Sequence, residues 1–296
     1  MPERPDLDLY VDHLERRLRG EVLEGVRIAS PFVLRTAVPA AGALAGRRVQ
    51  GVRRIAKRLA LSLEGDAHII VHLMIAGRLH WRKPGAALPK RTGLAAFDFS
   101  TGSLTLTESA RKKRAAIHFC EDSTALARFE TTGVEIRADD FEGFVSALRA
   151  RSHTLKRALT DQRIVRGIGN AYSDEILWTA RLSPMKQTAK LSDAEYGALF
   201  FAALSVLDEW AARLALEAGD AFPEGVTAFR SEMAVHGRYR QPCPRCGAPI
   251  QRIVFAENEA NYCASCQTGG RLLADRALSR LMHENWPRRL EELDGD

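Results

Sequence analysis

Apolar positions follow two rhythms along this chain. Leu7, Val11, Leu14 and Leu18 recur at helical spacing, which predicts an amphipathic helix over 7–18 with Asp6 placed to cap its start. From about residue 22 to 131 the period falls to two. Leu59, Leu61 and Leu63 alternate with Ala60, Ser62 and Glu64; Gly65-Asp66 marks a turn; residues 68–73 read as an apolar strand. A second hairpin is predicted over 93–107, turning at Ser100-Thr101-Gly102-Ser103. Near Asp139 helical spacing returns, and 141–150, 154–159, 171–180 and 192–218 read as helices, with 219–223 as a loop. The fold class predicted is α+β: an N-terminal antiparallel β-sandwich behind one helix, then a helical domain and a small cysteine-bearing hairpin. The expected domains are 1–131, 139–240 and 241–270, followed by a polar tail at 271–296 with a short helix.

Composition narrows the class. The chain has 296 residues, 46% hydrophobic and 27% charged, an ordinary globular mix that can bury a core. Forty-three Lys and Arg against 37 Asp and Glu leave +6, which mildly favours an anionic partner. The longest apolar runs, 67–76 and 196–207, are too short for a bilayer, and Met1-Pro2-Glu3-Arg4-Pro5 has no apolar signal core. Five cysteines are too few and too clustered for a disulfide scaffold. These features exclude collagen, mucin, membrane and secreted-knot classes. A cytoplasmic protein is expected.

Four of the cysteines carry chemistry. Cys243-Pro244-Arg245-Cys246 is followed by 16 residues and then Cys263-Ala264-Ser265-Cys266. Each Cys-x-x-Cys turn presents two thiolates to one point, and two turns at the ends of a hairpin complete a tetrahedral site. Sulfur fills all four positions, so the zinc expected there is structural. A disulfide pair is the bland alternative, disfavoured in a reducing compartment. Cys120, in His118-Phe119-Cys120, reads as an inert core thiol. A second feature is the glycine loop from Asp161 to Tyr172. Gly167 and Gly169 flank Ile168, and Asn170 stands at the start of the next helix. Such a loop suits either a tight, capped connection or an anion site made of backbone amides and a helix dipole.

Several stretches together resemble the formamidopyrimidine-DNA glycosylase and endonuclease VIII family of base-excision repair enzymes. Met1-Pro2-Glu3-Arg4-Pro5 is similar to its Met-Pro-Glu-x-Pro start. Lys57 stands where the family has a β-domain lysine, and 72–77 resembles its His-Leu-x-Met-Ser-Gly strand. Residues 162–172 resemble its helix–two-turn–helix, and 235–243 its approach to the zinc ribbon. The resemblance implies a bifunctional DNA glycosylase and AP lyase. After removal of Met1, Pro2 would be the amine nucleophile and Glu3 the acid–base group, with Lys57 holding a phosphate from a strand. Asn170 with Gly167 and Gly169 would hold another phosphate, and Cys243, Cys246, Cys263 and Cys266 one structural Zn2+. The implied partner is double-stranded DNA carrying a damaged base or an abasic site. The implied setting is a monomer in a bacterial-type cytoplasm, associated with the nucleoid and not with a membrane. Asp6 suits either a cap or a pocket residue, and Lys156 either the same site or a solvated helix face.

The chain also departs from the pattern. The family's glutamate at position six is Asp6. The arginine expected five residues before the third zinc cysteine is Asn258, for which Arg252 or Arg271 could substitute. The wedge methionine aligns with Ile75, beside Met74, and the Asp-Pro-Arg-Arg-Phe-Gly segment becomes Ser109-Ala110-Arg111-Lys112-Lys113-Arg114. Arg111, Lys112 and Lys113 are expected on the DNA backbone. These departures leave two alternatives: a non-catalytic binder of damaged or branched DNA, and a glycosylase for bulky or crosslinked bases.

Overall fold

The computed structural model describes residues 1–36, 38–227, 230–255, 258–273 and 288–292. The chain opens with α1 (Arg4–Leu18), which buries Leu7, Tyr10, Leu14 and Leu18 along one face. The helix starts three residues earlier than its apolar spacing implies. Pro5 is tolerated in the first turn because its missing N–H had no helical partner there. Glu3 takes the extended capping position, and Asp6 works from inside the turn, accepting the Glu3 N–H at 2.9 Å.

After β1 (Gly25–Ile28) come β2 (Val49–Ile55), β3 (Arg58–Leu63), β4 (Ala67–His72) and β5 (Gly77–Arg82), then β6 (Gly93–Phe99), β7 (Gly102–Glu108) and β8 (Ala116–Cys120). They form two four-stranded antiparallel sheets, ordered β2-β3-β4-β8 and β1-β6-β7-β5. The hairpin at 93–107 turns on Ser100-Thr101, and Gly102 is already paired with Phe99. Leu61, Ile69, Phe119, Phe97 and Leu104 fill the core of this sandwich. A short helix, α2 (Ser123–Ala127), follows, capped by the Asp122 carboxylate on the Ala125 N–H at 2.7 Å.

The remaining elements are α3 (Phe141–Arg149), α4 (Leu155–Thr160), α5 (Asn170–Thr179) and α6 (Asp193–Ala218), then the hairpin β9 (Ile250–Phe255) and β10 (Asn258–Cys263), and α7 (Ala264–Thr268). Phe144 and Phe200 join α3 to α6 with ring centroids 5.4 Å apart. The short helix expected in the tail lies outside the described residues.

Two compact units result. The first is Met1–Thr131 with Trp210–Thr227; the second is Thr132–Glu209 with the described residues from 230 onward. Helical continuity alone groups 210–227 with the helical domain. Side-chain contacts place it in the first unit instead. Phe222 packs on Tyr10 at 5.8 Å, Arg17 donates to the Asp220 carbonyl at 2.7 Å, and Glu224 pairs with Arg82 at 2.9 Å. Among the described residues no helix is long and apolar enough to cross a membrane.

Candidate active site and metal centre

The first unit gathers the N-terminal residues into a charged pocket. Pro2 is buried and Glu3 is 2% exposed. Burial holds the terminal amine of Met1 below its ordinary pKa. Glu3 and Asp6 oppose that shift, and Lys57 and Arg78 reinforce it. Thus the Met1 amine and Glu3 share one electrostatic environment with Lys57, more than fifty positions further along the chain. Arg78 is an addition that sequence reasoning missed. It carries no motif of its own; only β5 brings it here, where its guanidinium donates to the Ile75 carbonyl at 3.0 Å and the Gly77 carbonyl at 2.7 Å.

Lys57 does not lie on a strand. It occupies the two-residue turn between β2 and β3, after Ala56, whose φ of +49° is left-handed. The turn breaks the ladder there, which frees the lysine stem from a sheet face while leaving the residue only 8% exposed. Ile75 crowns the β4–β5 turn with 57% of its surface exposed, and Met74 beside it takes φ +54°. This turn closes on Gly77, whose N–H meets the Leu73 carbonyl at 2.9 Å; a Cβ there would stand 2.2 Å from that oxygen.

The cationic run 109–114 is organised by a buried carboxylate. Glu108 is 1% exposed and accepts the Arg114 and Ala115 N–H groups at 2.8 and 3.0 Å. Lys113 folds back onto the Glu108 carbonyl, whereas Arg111 and Lys112 stay exposed. The three cations therefore differ: two face solvent and one ties down the loop.

In the second unit, Gly169 occupies the N-cap of α5 and Asn170 its first turn. Gly167 has φ +85°, and its N–H is already taken by Gln162 Oε1 at 2.8 Å. The Gln162 amide also donates to the Ile168 and Thr160 carbonyls at 2.8 and 3.0 Å. Gln162 thus staples the loop, and the Gly167 amide expected for an anion is instead part of the scaffold. Below it lies a buried network. Asp174, fully buried, accepts from Lys156 Nζ at 2.6 Å, and His236 Nδ1 sits 2.8 Å from its other oxygen. Lys156 also donates to the Asn170 carbonyl at 2.7 Å, so it is neither solvated nor free. Glu175 accepts the N–H groups of Ala234, Val235 and His236 at 2.7–3.0 Å. Burial raises its pKa against those three bonds. Asp174→Ala would strand a buried ammonium, at a cost of roughly 3–5 kcal/mol. Thermal unfolding of that variant should show a clear fall in Tm, and an unchanged Tm would refute the network's role.

Cys243, Cys246, Cys263 and Cys266 place their sulfurs within 4.8 Å of one another, with Cys246–Cys263 at 3.5 Å and Cys243–Cys266 at 4.0 Å. A tetrahedron of sulfurs about 2.3 Å from zinc has edges near 3.8 Å, so the donor set fits one structural Zn2+. Trp178 Nε1 donates to the Cys243 sulfur at 3.4 Å, and Arg245 stacks 3.9 Å above the same indole. On the hairpin, Asn258 pairs with Phe255 beside the tip. Arg252, a candidate substitute for the absent arginine, stacks on Tyr239 at 4.4 Å and meets Glu259 at 3.4 Å.

Comparison with known proteins settles the lineage. Family models match the formamidopyrimidine-DNA glycosylase N-terminal domain over 1–138, its H2TH domain over 133–219, and the zinc finger found in FPG and IleRS over 240–269. The formamidopyrimidine-DNA glycosylase of Chloroflexus aggregans is 31% identical over 90% of this chain and 98% of its own length. The chain belongs to the formamidopyrimidine-DNA glycosylase family. A formamidopyrimidine-DNA glycosylase-like protein of Mycobacterium tuberculosis is 42% identical over 50% of this chain and 90% of its own length. Among solved structures, the Lactococcus lactis Fpg bound to abasic-site DNA matches with TM-score 0.77 and 25% identity, covering 90% of this chain and 99% of that one. MutM bound to DNA containing carbocyclic 8-oxo-G matches with TM-score 0.78 and 26% identity, over 90% and 100%. This family of DNA-repair glycosylases accounts for the order of sandwich, helix–two-turn–helix and zinc finger along the chain.

Proposed function

We propose that this protein is a bifunctional DNA glycosylase and AP lyase acting on double-stranded DNA with a damaged base or an abasic site. The observation that carries the reading is the half-buried terminal amine of Met1, one residue before Pro2, set among Glu3, Asp6, Lys57 and Arg78. Removal of Met1 moves the amine to Pro2. Its neutral nitrogen attacks C1′ of an everted nucleotide and the base leaves with a proton supplied by Glu3; the nitrogen then gives up its own proton, the C1′–O4′ bond opens with that proton passed through Glu3 to O4′, and an iminium forms. The iminium acidifies the C2′ proton. Loss of that proton expels the 3′ phosphate by β-elimination, and water releases the sugar from Pro2. Lys57 and Asn170 hold phosphates of the reacting strand, and Arg111 and Lys112 add sequence-independent backbone attraction. Gly169 shapes the Asn170 turn, and Ile75 fills the vacated stack.

A panel of duplexes bearing oxidised purines, oxidised pyrimidines, uracil or an abasic site tests the proposal, with borohydride trapping in parallel. Trapping and incision on at least one lesion are expected. DNA binding without turnover on any would assign the chain to the non-catalytic alternative. Trapping should also rise with pH through the amine's pKa, because only the deprotonated nitrogen attacks. In this structure burial, Lys57 and Arg78 lower the pKa of the Met1 amine, and the same surroundings should lower that of the Pro2 amine once Met1 is removed, placing the rise below that of an exposed N-terminal proline. Arg78→Gln removes a nearby cation, eases protonation of the amine, and should move the rise to higher pH.

A further inference from the structure

The face of the β2-β3-β4-β8 sheet next to Lys57 carries a second group of basic side chains. Ala60 pairs with Ile70, and Ile70 with His118. Two-residue periodicity therefore puts Arg58, His72 and His118 on one face. The Phe129 ring joins two of them: the His118 ring stands 4.7 Å away at 62°, and the Arg58 guanidinium 5.6 Å from its centroid. Arg35 is brought alongside by its N–H, which donates to the Ile117 carbonyl at 2.9 Å. His118 and Phe129 line a cavity of about 320 Å3, whose wall also holds Thr36 and Arg128. Two acidic residues share that wall: Asp122, which caps α2, and the exposed Glu121, which is not paired with Arg58, His118 or Arg35 among the described residues.

On neighbouring β2, Arg53 reaches Glu130 at 2.9 Å and Arg54 reaches Asp8 at 2.7 Å. Arg35, Arg58 and His118 have no carboxylate partner among the described residues. The group shows the strain of that arrangement. Burial depresses the Arg58 pKa, and burial followed by Arg58 and Arg35 depresses that of His118. His72 is pushed down to about 4 by burial, then by Arg58, Lys57 and His118. A half-buried guanidinium with no carboxylate partner gains most when an anion arrives, and the neutral imidazoles beside it can still donate a hydrogen bond.

We propose that Arg58 and His118, with Arg35 at the rim, form a subsite for a DNA backbone phosphodiester, additional to the contacts given to Lys57 and Asn170. The inference rests on the DNA-binding reading above. It extends the footprint along the duplex without adding sequence specificity.

Fluorescence anisotropy with a labelled duplex carrying a tetrahydrofuran abasic analogue, titrated over a range of salt, tests it on the full chain. Arg58→Gln should lower the slope of log affinity against log salt by about 0.9, the loss of one phosphate contact. Arg58→Lys should keep the wild-type slope. Arg35→Gln, exposed and unable to disturb the fold, should lower the slope in the same direction. Trapping of abasic DNA at saturating duplex should be unchanged in all three. Unchanged slopes in both glutamine variants, with only a lower Tm for Arg58→Gln, would reduce Arg58 to packing on Phe129 and overturn the subsite. Displacement by inorganic phosphate at constant ionic strength, lost in Arg58→Gln, would assign the site to a free anion and overturn it equally. Wild-type protein with no salt-dependent duplex binding would instead remove the DNA reading itself.

Discussion

A chain that keeps Met1, or whose Pro2 nitrogen is acylated, should form no borohydride-trapped adduct with abasic DNA, and its strand nicking should fall on the order of a thousandfold or more, the scale on which losing a covalent nucleophile costs an enzyme. The reason is stereoelectronic. Met1 retained converts the Pro2 nitrogen to a tertiary amide, whose lone pair is delocalised and cannot open C1′. The amine of Met1 would stand one residue away from the position Pro2 offers, and its Schiff base, keeping an N–H, could lose a proton and with it the positive charge that a prolyl iminium always retains. Glu3→Gln separates the two halves of the chemistry. It keeps the amine, so trapping on a preformed abasic site should persist, while base release falls by roughly 10²–10⁴, the usual contribution of a general acid. Intact-mass analysis establishes which terminus each preparation carries. Full-speed nicking by a preparation that is wholly Met1-retained would end the mechanism.

The second large effect is expected at the metal centre. Cys263→Ala, or chelation, should take the protein from one zinc per chain to none and abolish tight binding of abasic duplex. A structural zinc supplies an apparent ~10–16 kcal/mol to the element that folds around it. The β9–β10 hairpin has little else to replace it: one small buried cluster holds Ile253, Tyr262, Ala264, Leu272 and Leu273, and the other, Val235, Ile250, Cys243 and Cys263, is built around the zinc cysteines themselves. The sandwich has its own core and should keep its fold, so hydrogen exchange should rise in 240–270 and stay unchanged in β2–β8. Metal analysis on the purified chain reads the stoichiometry directly. Wild-type duplex affinity in a zinc-free protein would show that the finger grips nothing.

Several elements were legible before any coordinates. The period-two stretch gave strands because alternate residues must face a core, and the antiparallel hairpin at 93–107 needed only its turn residues. The two Cys-x-x-Cys turns announced their convergence because four thiolates at that spacing have one economical solution. The start of α1 was less legible. Capping depends on which residue first adopts helical angles, and Asp6 serves the cap from within the helix rather than before it. Lys57 read as a strand residue because Ile55 and Leu59 around it do; the left-handed Ala56 that makes the turn leaves no compositional signal. Asn258 and the run 109–114 show the reverse case, where a departure from a family pattern is plain in the sequence but its consequence is not. The response of Glu108 to that run, two backbone amides on one buried carboxylate, is visible only in three dimensions.

The amino-acid sequence by itself determined the periodicities, the four-sulfur centre, the glycine loop and the identity of the terminal residues, because each is encoded within a short span of chain. The tertiary structure decided which charges meet. It brought Lys57 and Arg78 to the terminal amine, gave the Gly167 amide to Gln162, bound Lys156 to Asp174, and set Arg58 and His118 against one Phe129 ring. Electrostatic energies fall with distance through space and not along the chain, so a reactive pocket assembled from separate turns is set by the packing that closes those turns on one another.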